Sequence, residues 1–383
     1  MSKESIQQFV TEEHEMFRQS VNDFAVKYIV PNIAKWEKEG EVSRELFKQA
    51  AELGALGINI DSKYGGLGLD AMYNMIWVEE LSRQNVGGSA SGIINHLQLP
   101  IQYLDKFGSE ELKQKYLVPS VSGDLIGALG MTEPGAGSDL AAISTTAVKE
   151  GDHYIVNGSK TFITSGIMAD YMVTAVKIDG KVSMLVIDTK SEGYSCTKLD
   201  KLGIRASDTA EIGMDNVKVP AENLIGEEGK GFYYMMRNLQ IERLGIAWGG
   251  VGSCEGILDM TIQYIHEREA FGKPLAKLQI IRHKLVELQT ELEVIRAFTY
   301  LTTQRFCNGE DVTKEASMLK LKAAELGNIT ADQCLQFFGG YGFMEEFPIA
   351  RIYRDNRISP IYAGTSEIMK EILAKMVIDG KTY

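Results

Sequence analysis

A carboxylate followed by glycines one and two turns further on is the first feature that could do chemistry. Glu242 precedes Gly245, Gly249 and Gly250, which would lie on the same face of a helix. Glycine costs helix stability, so its clustering beside a carboxylate indicates open space against that face. In an apolar cleft the pKa of a carboxyl rises, and Glu242 would then suit the abstraction of a proton. A solvated Glu242–Arg243 pair on a helix surface is the alternative that the local sequence leaves open.

A second candidate site lies in the segment Met131-Thr-Glu-Pro-Gly-Ala-Gly-Ser-Asp139. Gly135 and Gly137 would let the backbone approach a ligand closely, because neither residue carries a Cβ. Thr132 and Ser138 supply hydroxyls, and clustered backbone N–H groups can bind an anion. The composition alone leaves open a plain turn that leads out of the preceding helices.

Helical patterns dominate both ends of the chain. Thr11, Ser43 and Ser109 can each open a helix, and Thr313 can cap a long one near the other end. After Gly231 the chain is predicted to be helical over almost all of its remaining length. Apolar residues in that part recur at three- and four-residue spacing and predict one buried helix face: Leu285, Leu288, Leu292, Ile295 and Phe298.

The middle of the chain is predicted to be an antiparallel β unit. Asn157-Gly158 between two apolar runs predicts a hairpin with a type I′ turn, and Asp179-Gly180 predicts a second hairpin. Phe162 and Thr164 lie two residues apart in a predicted strand, so their side chains share one face. A Phe on a strand is also compatible with ordinary core packing. Strands do not alternate with helices around a GxGxxG turn, which disfavours a Rossmann domain.

The composition of the 383 residues limits the function classes. A hydrophobic fraction of 44% and a charged fraction of 24% are ordinary for a globular protein. The formal net charge of −12 argues against general binding of nucleic acid or anionic membranes, and no membrane insertion is expected. The 4 cysteines and 5 histidines lack ligand spacing, so no metal site is expected. The N-terminal residues predict a cytoplasmic protein, or an organelle-matrix protein if a presequence was removed.

Several segments of this chain resemble the acyl-CoA dehydrogenase family, in the family's order and spacing. They are Met131–Asp139, Asn157–Thr164, Arg268–Lys273 with Gln279, Gln336–Gly342 and Tyr362–Glu367. The resemblance implies an α+β fold with an N-terminal helical domain over 1–125, a middle antiparallel β domain over 126–235 and a C-terminal helical bundle over 236–383. It also implies FAD as cofactor, an acyl-CoA substrate, an electron-transferring flavoprotein as electron acceptor, and a homotetramer.

The resemblance assigns one set of residues to the cofactor. Met131 and Thr132 would face the flavin, and Phe162 stands where family members commonly have a Trp. Arg268 and Gln279 would reach the FAD of a neighbouring subunit, so each flavin site would need two chains. The expected FAD contacts are Met131, Thr132, Gly137, Ser138, Phe162, Thr164, Arg268, Phe271, Gln279, Gln336, Gly339, Gly340, Thr365 and Glu367.

The catalytic base departs from the pattern of many family members. They place a Glu immediately before Gly-Thr in the C-terminal motif, where this chain has Ala363, which cannot take a proton. The long-chain and isovaleryl branches carry the base in a Glu-Arg-Leu segment of the second helical domain, which Glu242-Arg243-Leu244 matches. Glu242 is therefore expected to abstract the α proton, while the backbone N–H of Ala363 would still polarise the thioester carbonyl. The other expected substrate contacts are Ser138, Tyr233, Gln240, Arg243 and Gly364.

The resemblance is closest to the long-chain and isovaleryl branch of the family. The expected reaction is therefore that of fatty acid β-oxidation, from a long or branched acyl-CoA to the trans-2-enoyl-CoA. A flavin oxidase or monooxygenase on the same fold is one alternative, and a dehydrogenase of a carrier-bound biosynthetic acyl thioester is another. A non-catalytic flavin-binding protein is the third alternative, and Ala363 is the feature that supports it.

Overall fold

The computed structural model of the chain describes residues 4–381. It contains a helical part, then a β-sheet, then a second helical part, so the order predicted from the sequence is confirmed. The helices of the first part are α1 (Glu12–Phe24), α2 (Ile33–Glu39), α3 (Glu45–Glu52), α4 (Ala71–Arg83), α5 (Gly87–Gln98), α6 (Pro100–Phe107), α7 (Glu110–Leu112) and α8 (Val118–Val121).

Short polar side chains fix the predicted helix starts. The Thr11 hydroxyl accepts a hydrogen bond from the backbone N–H of His14, and Ser109 caps α7 in the same way. The Ser43 hydroxyl accepts from the backbone N–H of Glu45, the first residue of α3. Each bond satisfies a donor that the first turn of a helix would otherwise leave without a partner, which explains why these residue types mark the starts.

The sheet has the strand order β1-β4-β2-β3-β7-β6, with β5 on the free side of β4. β1 and β2 both pair with β4 in parallel, which corrects the prediction of an antiparallel unit on that side of the sheet. Parallel neighbours need a long connection, and the chain between each pair is long enough to make the crossover. The strands are β1 (Gly127–Gly130), β2 (Thr146–Glu150), β3 (His153–Thr164), β4 (Tyr171–Ile178), β5 (Lys181–Asp188), β6 (Tyr194–Lys198) and β7 (Thr209–Pro220).

The predicted hairpin turn at Asn157-Gly158 is wrong, because the pair lies inside the continuous strand β3. β3 pairs with β2 along one edge and with β7 along the other, and its register against β7 shifts at Gly158. A Cβ at Gly158 would lie 2.5 Å from the Thr145 hydroxyl, so the glycine serves a close-packed bulge. Asp179 and Gly180 both have positive φ, and the predicted hairpin between β4 and β5 is confirmed.

The second helical part begins at Gly231 and is dominated by long helices. Of the face predicted on α10, the aliphatic residues are buried and Phe298 is half-buried. Thr313 is the first residue of α11 and not, as predicted, the residue before it. The predicted boundary at 235/236 falls within α9, and the domain limits stay a prediction. The elements are α9 (Gly231–Glu267), β8 (Glu269–Ala270), β9 (Lys273–Pro274), α10 (Gln279–Cys307), α11 (Thr313–Phe338), α12 (Pro348–Asn356) and α13 (Ser366–Val377).

Helix α9 packs between α4 and α11, and glycines set its distance from α4. A Cβ at Gly252 would lie 2.0 Å from the carbonyl oxygen of Glu79, and a Cβ at Gly256 would lie 2.2 Å from that of Arg83. Both distances are far below van der Waals contact, so these positions cannot accept a side chain without moving a backbone. The two glycines therefore fix where α9 lies relative to α4.

Gly252→Ala should lower the thermal unfolding midpoint by several degrees. The added methyl group would push α9 away from α4, an overpacking cost of about 1–3 kcal/mol. Gly249→Ala is the matched control, since it adds the same group to the same helix at an ordinary 3.4 Å from the Ser82 hydroxyl. Calorimetry at one protein concentration compares the two, and equal midpoints would show that the Gly252 contact does not set the helix distance.

Candidate active site

A cavity of about 290 Å³ lies between α5, α9, β3 and the segment that precedes α13. Helix α9 lines it with Glu242 and with residues that recur three or four positions further on, which places them on one face of the helix. The open space predicted beside Glu242 is therefore present. The residues that α9 contributes are Glu242, Gly245, Ile246, Gly249, Gly250 and Ser253.

The cavity also brings together residues from segments far apart in the sequence. Besides Glu242, the predicted site residues in its wall are Met131, Thr132, Phe162, Thr164 and Ala363. They come from the loop after β1, from the end of β3 and from the turn before α13. The structure therefore gathers the predicted base, the predicted flavin contacts and the predicted carbonyl donor around one space.

Glu242 is 6% exposed, and its carboxylate has neighbours from two helices. The side-chain amide of Asn238 donates to its Oε1 at 3.1 Å, and the Tyr103 hydroxyl is a second hydrogen-bond donor. Burial raises the pKa of Glu242 to about 7, against the opposing effects of these donors and of the charges on Arg243 and Lys106. A carboxyl group with this pKa can exist as a base and return a proton near neutral pH.

Lys106 acts on Glu242 through Asn238. Its ammonium donates to Asn238 Oδ1 at 3.1 Å, so the amide nitrogen of Asn238 is turned towards Glu242. Burial lowers the pKa of Lys106. The positive charge therefore lies one hydrogen bond away from the carboxylate, where it orients the amide without forming an ion pair with Glu242.

The turn that carries Ala363 has an unusual backbone. Ala363 has φ of 48°, in the left-handed region that residues with a Cβ rarely adopt, and Gly364 follows with φ of 95°. The ammonium of the fully buried Lys320 donates to the Gly364 carbonyl at 2.6 Å. Burial, together with the positive charge of Arg243, lowers the pKa of Lys320 to about 8. Thr365 then caps α13, so the turn is held from both sides.

The loop after β1 is anchored by a buried ion pair. Lys160 on β3 donates to Glu133 at 2.7 Å, and both side chains are almost fully buried. Burial alone would raise the pKa of Glu133, but hydrogen bonds from Lys160, Thr145 and Ser144 hold it at about 2. The backbone of Thr132 is also bonded to β3, through its carbonyl. These bonds fix the position of the segment that carries Met131 and Thr132.

The wall opposite α9 fits a flavin. Phe162 has φ of 61°, is 68% exposed and turns its ring towards the cavity, which is unusual for a large apolar side chain on a strand. A planar aromatic ligand would cover this ring at low cost. Near Gly135 and Gly137 no atom lies within 4 Å of the place where a Cβ would stand, so a ligand can approach the backbone there. The residues present thus fit the FAD that the resemblance implies.

A second group of predicted residues lies at the far end of α9 and does not line the cavity. The Arg268 guanidinium follows α9 and lies 5.8 Å from the ring centroid of Tyr341. Phe271 is 93% exposed at the turn between β8 and β9. The exposed guanidinium of Arg268 beside the exposed ring of Tyr341 would suit a contact with another chain. The predicted residues of this region are Arg268, Phe271, Gln279, Gln336, Gly339 and Gly340.

The remaining predicted residues lie outside the cavity wall. Tyr233 is exposed on the first turn of α9, and Ser138 is exposed in its loop with Gly137. The side chain of Gln240 donates to Asp311 at 3.1 Å, which binds it to the connection before α11. Arg243 is buried and donates to Ser317 at 3.4 Å. The other residues outside the wall are Gly364, Thr365 and Glu367.

Sequence reasoning missed the polar residues that support the site. Asn238 stands four residues before Glu242, the spacing at which side chains meet on a helix, so this neighbour could have been found. Tyr103, Lys106 and Lys320 belong to other helices. Local sequence patterns do not connect these three residues with the base or with the turn at Ala363.

Known proteins share this arrangement of segments. Residues 11–124, 128–217 and 229–378 match the N-terminal, middle and C-terminal domains of acyl-CoA dehydrogenases. The mitochondrial long-chain specific acyl-CoA dehydrogenase of Rattus norvegicus is 40% identical over 97% of this chain and 88% of its own. A crystal structure of an acyl-CoA dehydrogenase from Geobacillus kaustophilus is 45% identical, with a TM-score of 0.93 over 96% of this chain and 98% of its own. A glutaryl-coenzyme A dehydrogenase in complex with glutaryl-CoA is 34% identical, with a TM-score of 0.92 over 97% and 96%.

Glu242→Gln should make the free energy of unfolding less dependent on pH. Because the folded pKa of Glu242 is raised from 4.5 to about 7, the wild-type protein loses stability as pH rises across that interval. The variant cannot ionise there, so its stability relative to the wild type should increase with pH, by at most about 3 kcal/mol. Thermal midpoints of both proteins from acid to neutral pH measure this difference, and Glu267→Gln at the exposed end of α9 is the control. A difference that is constant with pH would contradict the assignment.

Proposed function

The chain belongs to the acyl-CoA dehydrogenase family, a family of FAD-dependent oxidoreductases, and on that premise we propose that Glu242 is its catalytic base. Dehydrogenation of an acyl-CoA requires a group that takes the α proton. Among the cavity-lining residues of the described chain the carboxylates are Glu242 and Asp355. Asp355 Oδ1 accepts from the backbone N–H of Ile204 at 2.5 Å, so it serves a structural contact. The position of Glu242 in the cavity wall is the observation that carries the proposal.

The protonation behaviour of Glu242 suits this role. A base works best when its pKa lies near the working pH, and burial brings the pKa of Glu242 to about 7. Asn238 and Tyr103 hold the carboxylate in place by hydrogen bonds, so the proton is taken in a fixed direction. FAD, when bound, supplies the acceptor for the hydride that leaves the β carbon.

We propose that the backbone N–H of Ala363 polarises the thioester carbonyl. Removal of the α proton shifts negative charge to that oxygen, and a fixed N–H donor stabilises the charge as it develops. The left-handed turn at Ala363 and the bond from Lys320 to the Gly364 carbonyl support this role, because they restrict the orientation of the peptide groups there. Lys320 acts through the turn and is a positioning residue.

We propose a long or branched acyl-CoA as the substrate and the trans-2-enoyl-CoA as the product. The cavity-lining face of α9 runs from Glu242 to Ser253, which corresponds to about 16 Å at 1.5 Å of rise per residue. Similarity to a long-chain specific dehydrogenase over almost the whole chain supports the same substrate range.

We further propose a homotetramer that passes its electrons to an electron-transferring flavoprotein, in the cytoplasm or an organelle matrix. Apolar side chains along one side of α10 are exposed in the single chain, which supports burial against another subunit. They are Ile280, Val286, Val294 and Leu301. In residues 4–381, none of the helices is both long and apolar enough to cross a membrane.

Glu242→Gln should retain FAD and bind acyl-CoA but reduce its flavin at least about a hundredfold more slowly, since the amide cannot accept the α proton. Anaerobic stopped-flow mixing with a series of acyl-CoAs measures this rate and identifies the preferred chain length. In the wild type the rate should increase with pH through about 7, as Glu242 loses its proton. Glu267→Gln is the control, because it removes a carboxylate from the same helix outside the cavity.

Two results would contradict the proposal for Glu242. Flavin reduction at the wild-type rate in Glu242→Gln would exclude it as the base. If none of the acyl-CoAs bleaches the flavin of the wild type, the enzyme does not act on this substrate class, and a carrier-bound thioester should be tested next.

Arg268→Ala should weaken the retention of FAD, because the guanidinium is proposed to contact the cofactor of a neighbouring subunit. Arg268→Lys keeps the positive charge without the planar donor group, so this variant should lose less FAD than Arg268→Ala. The ratio of flavin to protein absorbance after gel filtration measures both variants, and sedimentation reports the oligomeric state in the same samples. Full FAD occupancy in Arg268→Ala would exclude the proposed contact.

A further inference from the structure

The end of the cavity furthest from Glu242 is lined with polar side chains. Ser253 stands there on α9, and Ser82 and Asn85 come from the end of α4 and the residues just after it. Asn356, the last residue of α12, completes this group. Acyl tails are apolar along most of their length, so a polar end to the cavity is a feature that the proposed reaction does not explain.

One of these polar groups has unused hydrogen-bonding capacity that faces the cavity. Ser82 is 8% exposed, and within residues 4–381 its hydroxyl has no hydrogen-bond partner. Asn85 donates to the carbonyl of Gly256, and its Oδ1 lies against the same glycine, 3.0 Å from the place where a Cβ would stand, so this oxygen does not face the cavity. The Ser253 hydroxyl and the Asn356 amide bond to each other at 3.2 Å. Buried polar groups are normally paired, so the unpaired Ser82 hydroxyl indicates a site for a ligand atom.

Glycines keep the Ser82 hydroxyl open to the cavity. A Cβ at Gly87 would lie 3.2 Å from Ser82 Oγ, and a Cβ at Gly249 would lie 3.4 Å from it. Larger side chains at these two positions would cover the hydroxyl. The backbone on both sides of Ser82 therefore leaves its oxygen accessible from within the cavity.

The charges of the cavity-lining residues limit the kind of acyl tail that can bind at the polar end. Lys, Arg and His are absent from the lining residues of the described chain, whereas the carboxylates Glu242 and Asp355 are present. Asp355 lies at this end, since a Cβ at Gly88 would be 2.3 Å from its Oδ2. A tail that ends in a carboxylate would be buried beside a negative charge without a cation in the wall, which costs free energy.

An unsubstituted alkyl tail also fits this end poorly. It would leave the Ser82 hydroxyl without a partner, a cost that an uncharged polar tail avoids. We propose that this enzyme takes acyl-CoAs whose tail carries an uncharged hydrogen-bonding group, such as a hydroxyl, which Ser82 and Ser253 bind. The inference rests on the proposed function, since it names the substrate class of the same site.

The test compares saturated acyl-CoAs with the same acyl-CoAs bearing a terminal hydroxyl, at matched chain lengths. In anaerobic flavin reduction and in kcat/KM, the hydroxylated series should be preferred roughly tenfold at the length that reaches Ser253, the effect of one good hydrogen bond. Ser82→Ala and Ser253→Ala should each bring the two series close to equality. In Ser82→Ala the saturated acyl-CoAs should react faster than in the wild type, because their tails no longer leave that hydroxyl without a partner. The flavin absorbance of the purified variants shows that they are folded and hold FAD.

Ser89→Ala is the matched control. Ser89 is buried on α5 and its hydroxyl has no hydrogen-bond partner in the described chain, but it does not line the cavity, so the preference should persist. Equal rates for both series at every length would overturn the inference, as would a preference that survives in Ser82→Ala/Ser253→Ala. A preference for tails that end in a carboxylate would overturn it too. If any of these three results is found while the wild type still oxidises saturated acyl-CoAs, the proposed dehydrogenase function is retained and only the inference about the tail is rejected.

Discussion

Helix α9 lines the cavity over several turns and then, on the same side of the helix, presses directly against neighbouring backbone. At Gly252 and Gly256 a Cβ would collide with carbonyl oxygens of α4, so the two helices touch without side chains between them. This contact fixes the axis of α9, and with it the position of Glu242 and of the glycines that border the cavity on the same side of the helix. The cavity depends on this packing constraint, since a small shift of α9 would either fill the space or expose the carboxylate to solvent.

Two buried glutamates show how differently the same side chain can be used. Glu133 is paired directly with Lys160 and receives further hydrogen bonds, which hold its pKa at about 2 and make it a permanent anion. Glu242 has its nearest lysine, Lys106, one hydrogen bond further away, beyond Asn238, and burial raises its pKa to about 7. The ion pair of Glu133 with Lys160 anchors the loop after β1. The surroundings of Glu242 allow its carboxyl group to gain or lose a proton near neutral pH. A direct ion pair is therefore what separates the carboxylate of lowered pKa from the carboxylate of raised pKa in this molecule.

The fold could be predicted where the signal is local. Capping by Thr11 and Ser109, and the turn at Asp179-Gly180, involve residues a few positions apart, and the structure agrees. The hairpin turn predicted at Asn157-Gly158 was wrong, because the pairing of β3 along both edges outweighs the local preference of these residues for a turn. In the site, Glu242 and its glycines share one helix and were found together, whereas Tyr103 and the lysines reach the site from other helices. Such contacts depend on tertiary packing, which local spacing does not encode.

The proposed mechanism uses the Glu242 side chain and the Ala363 backbone N–H together, so the distance between these two groups must be fixed. Glu242 lies on α9 and Ala363 in the turn before α13, and α11 contacts both regions. Ser317 on α11 accepts a hydrogen bond from Arg243, the residue next to Glu242, and Lys320 one turn later donates to the carbonyl of Gly364. Since the two residues lie three positions apart, they project from the same side of α11. One rigid helix thus sets the distance between the proposed base and the proposed carbonyl donor, and this explains why a buried lysine is tolerated there.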